Sequence, residues 1–150
     1  MARYENLDVN RLNVTKVQMG TGSGSVDCLP IAYLKGGNIS VSSNATVATQ
    51  TVNALTIPAD TLVLDVYTVI VTSANATCTA TVGDGTAASG WDASVNLAAA
   101  AGTRTASVRG TDSLAVGKLY SSSDTIDLTY TFSATNTTAT YRVDAVVARF

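Results

Sequence analysis

The sequence predicts an all-β protein, an antiparallel β-sandwich of jelly-roll or immunoglobulin-like kind with an extended N-terminal arm. Three observations predict it. Thr, Val and Ile are plentiful while Lys and Glu are scarce, which favours strands over helices. Several stretches alternate apolar and polar residues with a period of two. Clusters of Gly, Asn, Asp and Pro separate those stretches and supply turns. The 150 residues suit one domain with a proper core. They divide into an arm, residues 1–25, and a sandwich, residues 26–150.

The most informative stretch is Thr56–Asp84. Ile57-Pro58-Ala59-Asp60 is a turn signal, since Pro58 fixes φ and Asp60 bonds to nearby backbone. A long β-rich run follows, Thr61–Thr72. Leu62, Leu64 and Val66 share one face by period two, whereas Val69 and Val71 fall on the opposite parity. A change of parity inside one run indicates a bulge. Thr77–Val82 alternates again, with Cys78, Ala80 and Val82 on one side, and Asp84-Gly85 suits the φ > 0 positions of a tight turn. These two strands are expected at the centre of the sandwich.

The remaining elements follow in order. The arm carries Leu7, Val9, Leu12, Val14 and Val17 at spacings that fit neither a clean helix nor a clean strand, and Gly20–Ser25 is a hinge by composition. Val26–Lys35 is a candidate first strand with Leu29, Ile31 and Tyr33 on one face, and Pro30 confines it to an edge or a strand start. Asn38–Val41 is short, and Val47–Ile57 is a polar-rich strand. Thr86–Gly117 is a long connection with short strands, in which Ala98–Ala101 could form a helical turn stopped by Gly102; a further short strand lies around Ala115–Tyr120. At the end, Ile126, Leu128, Tyr130 and Phe132 share one face, and Tyr141, Val143, Ala145 and Val147 share the inner face of the next strand, with Arg142 and Asp144 pointing away. The short Ala134–Thr138 turn between them predicts an antiparallel hairpin. About eight strands result.

Composition and missing chemistry narrow the function. Charged residues are only 13% of the chain against 46% hydrophobic, well below the roughly one quarter charged of an ordinary soluble domain. Such a surface fits a protein that works against neighbours. The net charge is −2, with no basic patch and no apolar run long enough to cross a bilayer, so neither nucleic acid nor membrane is an expected partner. The first residues lack an apolar signal-peptide core, and export by that route is not expected. Histidine is absent, which removes Ser-His-Asp and Cys-His catalysis and His-bound metals. No phosphate loop and no Gly-x-Ser-x-Gly elbow occur. Of the ten aspartates, the eight from Asp60 onward, among them Asp84, Asp92 and Asp144, sit mostly where turns and polar strand faces place them, and no spacing marks a catalytic pair or a calcium loop. No enzyme activity, cofactor or metal is expected. Cys28 and Cys78 read as free buried thiols, with a disulfide between them as the minority reading, and the Asn-x-Ser/Thr sequons as chance in a Thr-rich chain.

Three segments carry a family resemblance: Thr56–Thr72, "TIPADTLVLDVYTVIVT"; Val82–Trp91, "VGDGTAASGW"; and the C-terminal "YRVDAVVARF". Together they resemble small β-sandwich structural proteins of tailed bacteriophages, most of all capsid decoration, or cement, proteins, cyanophage ones included. The likeness covers roughly the last two thirds of the chain, and its motifs concern packing and turns. It implies a virion protein on the outer capsid surface, made in the host cytoplasm, commonly a homotrimer that clamps neighbouring major capsid proteins. A capsid-binding arm would then use Leu7, Val9, Leu12 and Val14, lying along the capsid or a neighbouring subunit by adding a strand to an exposed edge. Trp91, Tyr130, Phe132 and Tyr141 are candidate core or oligomer anchors. The alternative is a carbohydrate- or receptor-binding module of a phage head or tail, using Tyr67, Tyr120 or Trp91.

Overall fold

A computed structural model describes the backbone of residues 17–19 and 26–28, and residues 31–43, 49–108, 113–135 and 137–149 in full. The chain divides into two compact units, Met1–Pro30 and Ile31–Phe150. The first contains β1 (Val17–Met19) and β2 (Val26–Cys28), paired antiparallel with Val17 opposite Cys28. The second contains β3 (Ile31–Lys35), β4 (Ile39–Ser42), β5 (Thr49–Ile57), β6 (Thr61–Thr72), β7 (Cys78–Gly83), β8 (Asp92–Asn96), β9 (Arg104–Ala106), β10 (Lys118–Tyr120), β11 (Asp124–Phe132) and β12 (Thr138–Arg149). No helix occurs among the described residues.

These ten strands form two antiparallel sheets packed face to face. In one, β6 and β12 run side by side at the centre; β10 and β9 pair with the outer edge of β6, and β3 and β4 with the outer edge of β12. The other has the order β5-β11-β7-β8. The core lies between them. From the six-stranded sheet come Val63, Val66, Ile70, Tyr141, Val143, Ala145 and Val147; from the four-stranded sheet come Leu55, Ile57, Cys78, Ala80, Val82, Val95, Ile126, Leu128, Tyr130 and Phe132. Tyr130 and Phe132 meet edge to face, with centroids 5.4 Å apart.

The alternation expected of β11 and β12 holds: every residue assigned inward on both strands is buried. Their pairing is a correction. β11 pairs with β5 and β7, and β12 with β3, β4 and β6. The chain therefore passes from one sheet to the other between Phe132 and Thr138. Each strand has an apolar inner face, and two such faces meet across a core as readily as alternating strands pair in a ladder.

The parity change in Thr61–Thr72 is present, but the inward set differs. Opposite β12 the register skips Leu64 and Val71. Val63, Val66, Thr68 and Ile70 face the core, while Leu62, Leu64, Val69 and Val71 are only half-buried. Both faces of this central strand are partly covered, so both carry aliphatic residues and the pattern alone does not separate them. The turn after β7 also differs from expectation. Among the described residues, the non-glycine residue with positive φ is Asp60, at 55°, and the glycines are Gly102 and Gly117. Gly83 is required instead by close approach, since a Cβ there would lie 2.0 Å from the Ala87 carbonyl oxygen. Ala98–Ala101 makes turns rather than a helix, ending at Gly102 with φ of 88°. The single strand expected over Val26–Lys35 is two, β2 and β3.

Removing the fully buried Phe132 side chain should leave a cavity in the core. Phe132→Ala is expected to cost about 3–5 kcal/mol in denaturant unfolding. Thr129→Ala, on the solvent side of the same strand, should change stability by less than about 0.5 kcal/mol.

Candidate interaction face

The outer faces of the two sheets differ in chemistry. On the four-stranded sheet, Thr49, Thr131 and Thr79 lie in one cross-strand row and Thr51, Thr129 and Thr81 in the next. The hydroxyls of Thr49 and Thr131, and of Thr51 and Thr129, are 2.8 Å apart. With Ala93 and Ser94, five of these six threonines line a shallow, uncharged depression of about 330 Å³.

On the six-stranded sheet the outward side chains are aromatic, charged and aliphatic. Period two aims Tyr33 and Lys35 of β3, Arg142, Asp144 and Val146 of β12, and Asp65 and Tyr67 of β6 to this side. The register sets Asp144 between Lys35 and Tyr67, and Val146 between Tyr33 and Asp65. Asp144 is fully buried although it faces outward, because three residues cover it with four donor atoms. Tyr33 Oη donates to Oδ2 at 2.6 Å, Gly36 N to Oδ1 at 3.0 Å, and Arg142 donates through Nε at 2.8 Å and Nη2 at 2.9 Å. Arg104 of β9 places its guanidinium 3.6 Å from the centre of the Tyr67 ring and 5.5 Å from that of Tyr33. Ser107 Oγ donates to Asp65 Oδ1. The result is a chain of contacts from Arg142 to Ser107 across four strands. Along the same side, toward the β10 end, Ile31 is 69% exposed and Leu119 is 54% exposed.

Burial pushes the Asp144 carboxyl up, but the bonds from Arg142, Tyr33 and the Gly36 amide outweigh it and hold the group below the usual carboxylate range. Burial, with help from Asp144, pushes the Tyr33 phenol up. At pH 7 the face therefore holds a carboxylate bound to a guanidinium, with a second guanidinium lying on two tyrosine rings. Partly exposed Tyr and Arg beside aliphatic residues is the composition of a protein-binding hot spot.

A second carboxylate serves the scaffold. Asp84 Oδ1 accepts the amides of Thr86 and Ala87 at 2.9 Å, and Oδ2 accepts Lys118 Nζ at 2.5 Å and Tyr120 Oη at 2.9 Å. Trp91 Nε1 donates to Tyr120 Oη at 3.2 Å. Burial pushes this carboxyl up as well, and the bonds from Lys118, Ala87, Thr86 and Tyr120 again bring it below its ordinary value. Both oxygens of Asp84 are engaged by donors of the chain itself.

Trp91, Tyr130, Phe132 and Tyr141 are all buried in the core. Tyr120 is buried too, and Tyr67 is half-covered by Arg104. Cys78 is free and buried, and burial pushes its thiol up to about 11. Leu7, Val9, Leu12 and Val14 lie outside the described residues. Sequence reasoning missed the Tyr33–Asp144–Arg142–Arg104 cluster. One signal was visible, Arg142 and Asp144 two apart on the outer side of a strand; Tyr33 and Arg104 join them only through strand order.

Both depressed carboxylates favour the folded state. Their stabilisation is complete above the unfolded carboxylate value of about 3.9 and is lost as pH falls through the lower folded values. Asp144→Asn is expected to lower stability by about 2 kcal/mol at pH 7. It should also flatten the loss of stability between neutral and acid pH in urea titrations. A variant as acid-sensitive as the parent would refute this assignment.

No family model matches the sequence, and no curated protein does. Among solved structures, the chain is similar to one in the cyanophage Pam1 capsid asymmetric unit, with 16% identity and a TM-score of 0.59 over 97% of this chain and 98% of that one. It is also similar to a chain in the acidic-stable capsid structure of Helicobacter pylori bacteriophage KHP30, with 14% identity and a TM-score of 0.45 over 78% of this chain and 93% of that one. The first likeness, which spans nearly the whole of both chains, shows a shared fold: this antiparallel β-sandwich also occurs in a phage capsid.

Proposed function

We propose that this chain is a structural protein of a phage virion that decorates the outer surface of the icosahedral head and braces neighbouring major capsid proteins. The observation that carries the reading is the likeness to the cyanophage capsid chain over almost the full length of both. The weakly charged surface and the packing motifs of Thr56–Thr72 and Val82–Trp91 agree with it. In this role the protein is a brace, not an enzyme, and its unit is a homotrimer matched to the local threefold symmetry of the shell. The aromatic and charged face of the six-stranded sheet lies against the capsid protein, with Tyr33, Tyr67 and Arg104 as its anchors. The arm, through Leu7, Val9, Leu12 and Val14, ties each copy to its neighbour in the layer. Weak contacts repeated in one trimer then combine into firm attachment through effective concentration.

One observation favours a second reading, a carbohydrate-binding module: the depression of about 330 Å³ lined by threonine hydroxyls on the four-stranded sheet. Glycan binding that is lost on Thr129→Val, by a protein that leaves heads bare, would establish it in place of the first.

Two measurements on undecorated heads test the brace. Removing residues 1–25 should abolish attachment while the melting transition of the body is unchanged. Arg104→Glu should weaken attachment at least about tenfold, the scale of a single hot-spot residue. Normal decoration by the truncated chain would refute the arm's role, and normal decoration by Arg104→Glu would refute that of the face.

A further inference from the structure

The sheet edge formed by β3 is unlike the others. Among the described residues β3 has a single partner strand, β12. Among the described residues no strand pairs with its other side, and a free strand edge templates a further strand. Of the usual protections it carries a lysine, Lys35, at its end. The register of β3 shows no bulge, and Ile31 and Tyr33 are 69% and 49% exposed. The edge of β5, by contrast, exposes Thr49, Gln50, Thr51 and Asn53.

Beside the β3 edge, on the inward side, lies a cleft of about 190 Å³ lined by Ala32, Leu34, Pro58 and Val147 and flanked by Arg149. A strand added to β3 would alternate its side chains in step with β3. Every second residue would then face this cleft. Free backbone groups along an edge, with an apolar seat for alternate side chains, are the two requirements of recognition by strand addition.

The arm has the matching chemistry. Thirty residues precede Ile31, and sixteen of them precede β1. Fully extended, sixteen residues reach roughly 50 Å. They contain two pairs at strand spacing, Leu7 with Val9 and Leu12 with Val14. Asp8 sits between the first pair, while the edge carries the cations Lys35 and Arg149.

We propose that the β3 edge and its cleft accept the stretch around Leu7 and Val9 of a second copy as an added strand, with these two side chains, which share one face of the strand, seated against Ala32, Leu34, Pro58 and Val147. Donor and acceptor are different surfaces, so the contact is head-to-tail, and such contacts close into a ring when the rotation allows it. The inference rests on the proposed function only in taking the closed ring to be a trimer.

The test needs no heads. The full chain should sediment as a trimer. An arm variant, Leu7→Asp with Val9→Asp, Leu12→Asp and Val14→Asp, should be a monomer. An acceptor variant, Ile31→Asp with Ala32→Glu, should also be a monomer, and both replaced side chains are exposed. Mixed, the two variants should give a singly joined dimer, because one keeps its acceptor and the other its arm. As a check that needs no substitution, amide exchange of Ile31–Lys35 in the unaltered chain should slow at least tenfold from dilute to concentrated solution. A parent chain that stays monomeric, an acceptor variant that remains a trimer, a mixture that stays monomeric, or exchange rates independent of concentration would each overturn the inference. A chain that exchanges arms yet leaves heads bare would keep it and refute the decorating role. Decoration by a chain that does not exchange arms would do the reverse.

Discussion

The structure depends on one constraint, the pairing of β6 with β12 in a register that gives each of the two twelve-residue strands an inner and an outer duty. Inward, Val63, Val66 and Ile70 meet Val143, Ala145 and Val147 in the core. Outward, Tyr67 lies beside Asp144 and Asp65 beside Val146. A slip of one residue would exchange the two sets, putting Asp144 and Arg142 into the core and Tyr141 and Val143 into water. The skipped residues Leu64 and Val71 let β6 keep its apolar set inside against a partner that alternates without interruption. Register therefore fixes the core and assembles the outer face at the same time.

The long connection from β7 to β10 needs a different device. It has few strand residues of its own, and a buried carboxylate organises it. Asp84 holds the turn after β7 through two amides and reaches Lys118 and Tyr120 at the far end of the connection. Trp91, early in the connection, closes the set through Tyr120. Each donor satisfies a group that would be costly to bury unpaired. The two depressed carboxylates thus divide the work: Asp84 fixes the scaffold, and Asp144 fixes the face that the scaffold displays.

Much of the strand content was legible because it follows from period two. Ile126, Leu128, Tyr130 and Phe132, then Tyr141, Val143, Ala145 and Val147, can be read directly as inward sets. What partners each strand was not legible. Alternation states that a face is buried, not whether its neighbour lies beside it or across the core, and so β11 and β12 resemble a hairpin. The strand β6 is covered on both sides, and its aliphatic residues do not declare which face is inner. The Asp84 network could not be read either, since Asp84-Gly85 has the same letters whether it makes a hairpin turn or a side-chain knot. The candidate face was half visible. Arg142 and Asp144 sit two apart on one strand, but Tyr33 and Arg104 reach them from positions 109 and 38 residues away from Arg142, a proximity that exists only once strand order is set.

One outer face carries an uncharged depression lined with hydroxyls; the other joins tyrosines, arginines and a locked carboxylate. The central claim is that the second face, and not the first, meets the capsid. Residue-specific chemical footprinting of the protein free and bound to intact heads tests this most directly. The account predicts that Arg104, Arg142 and Tyr67 lose reactivity on the particle while the Thr51–Thr129–Thr81 row stays equally accessible. Protection of the threonine row, with Arg104 and Arg142 unchanged, would contradict it.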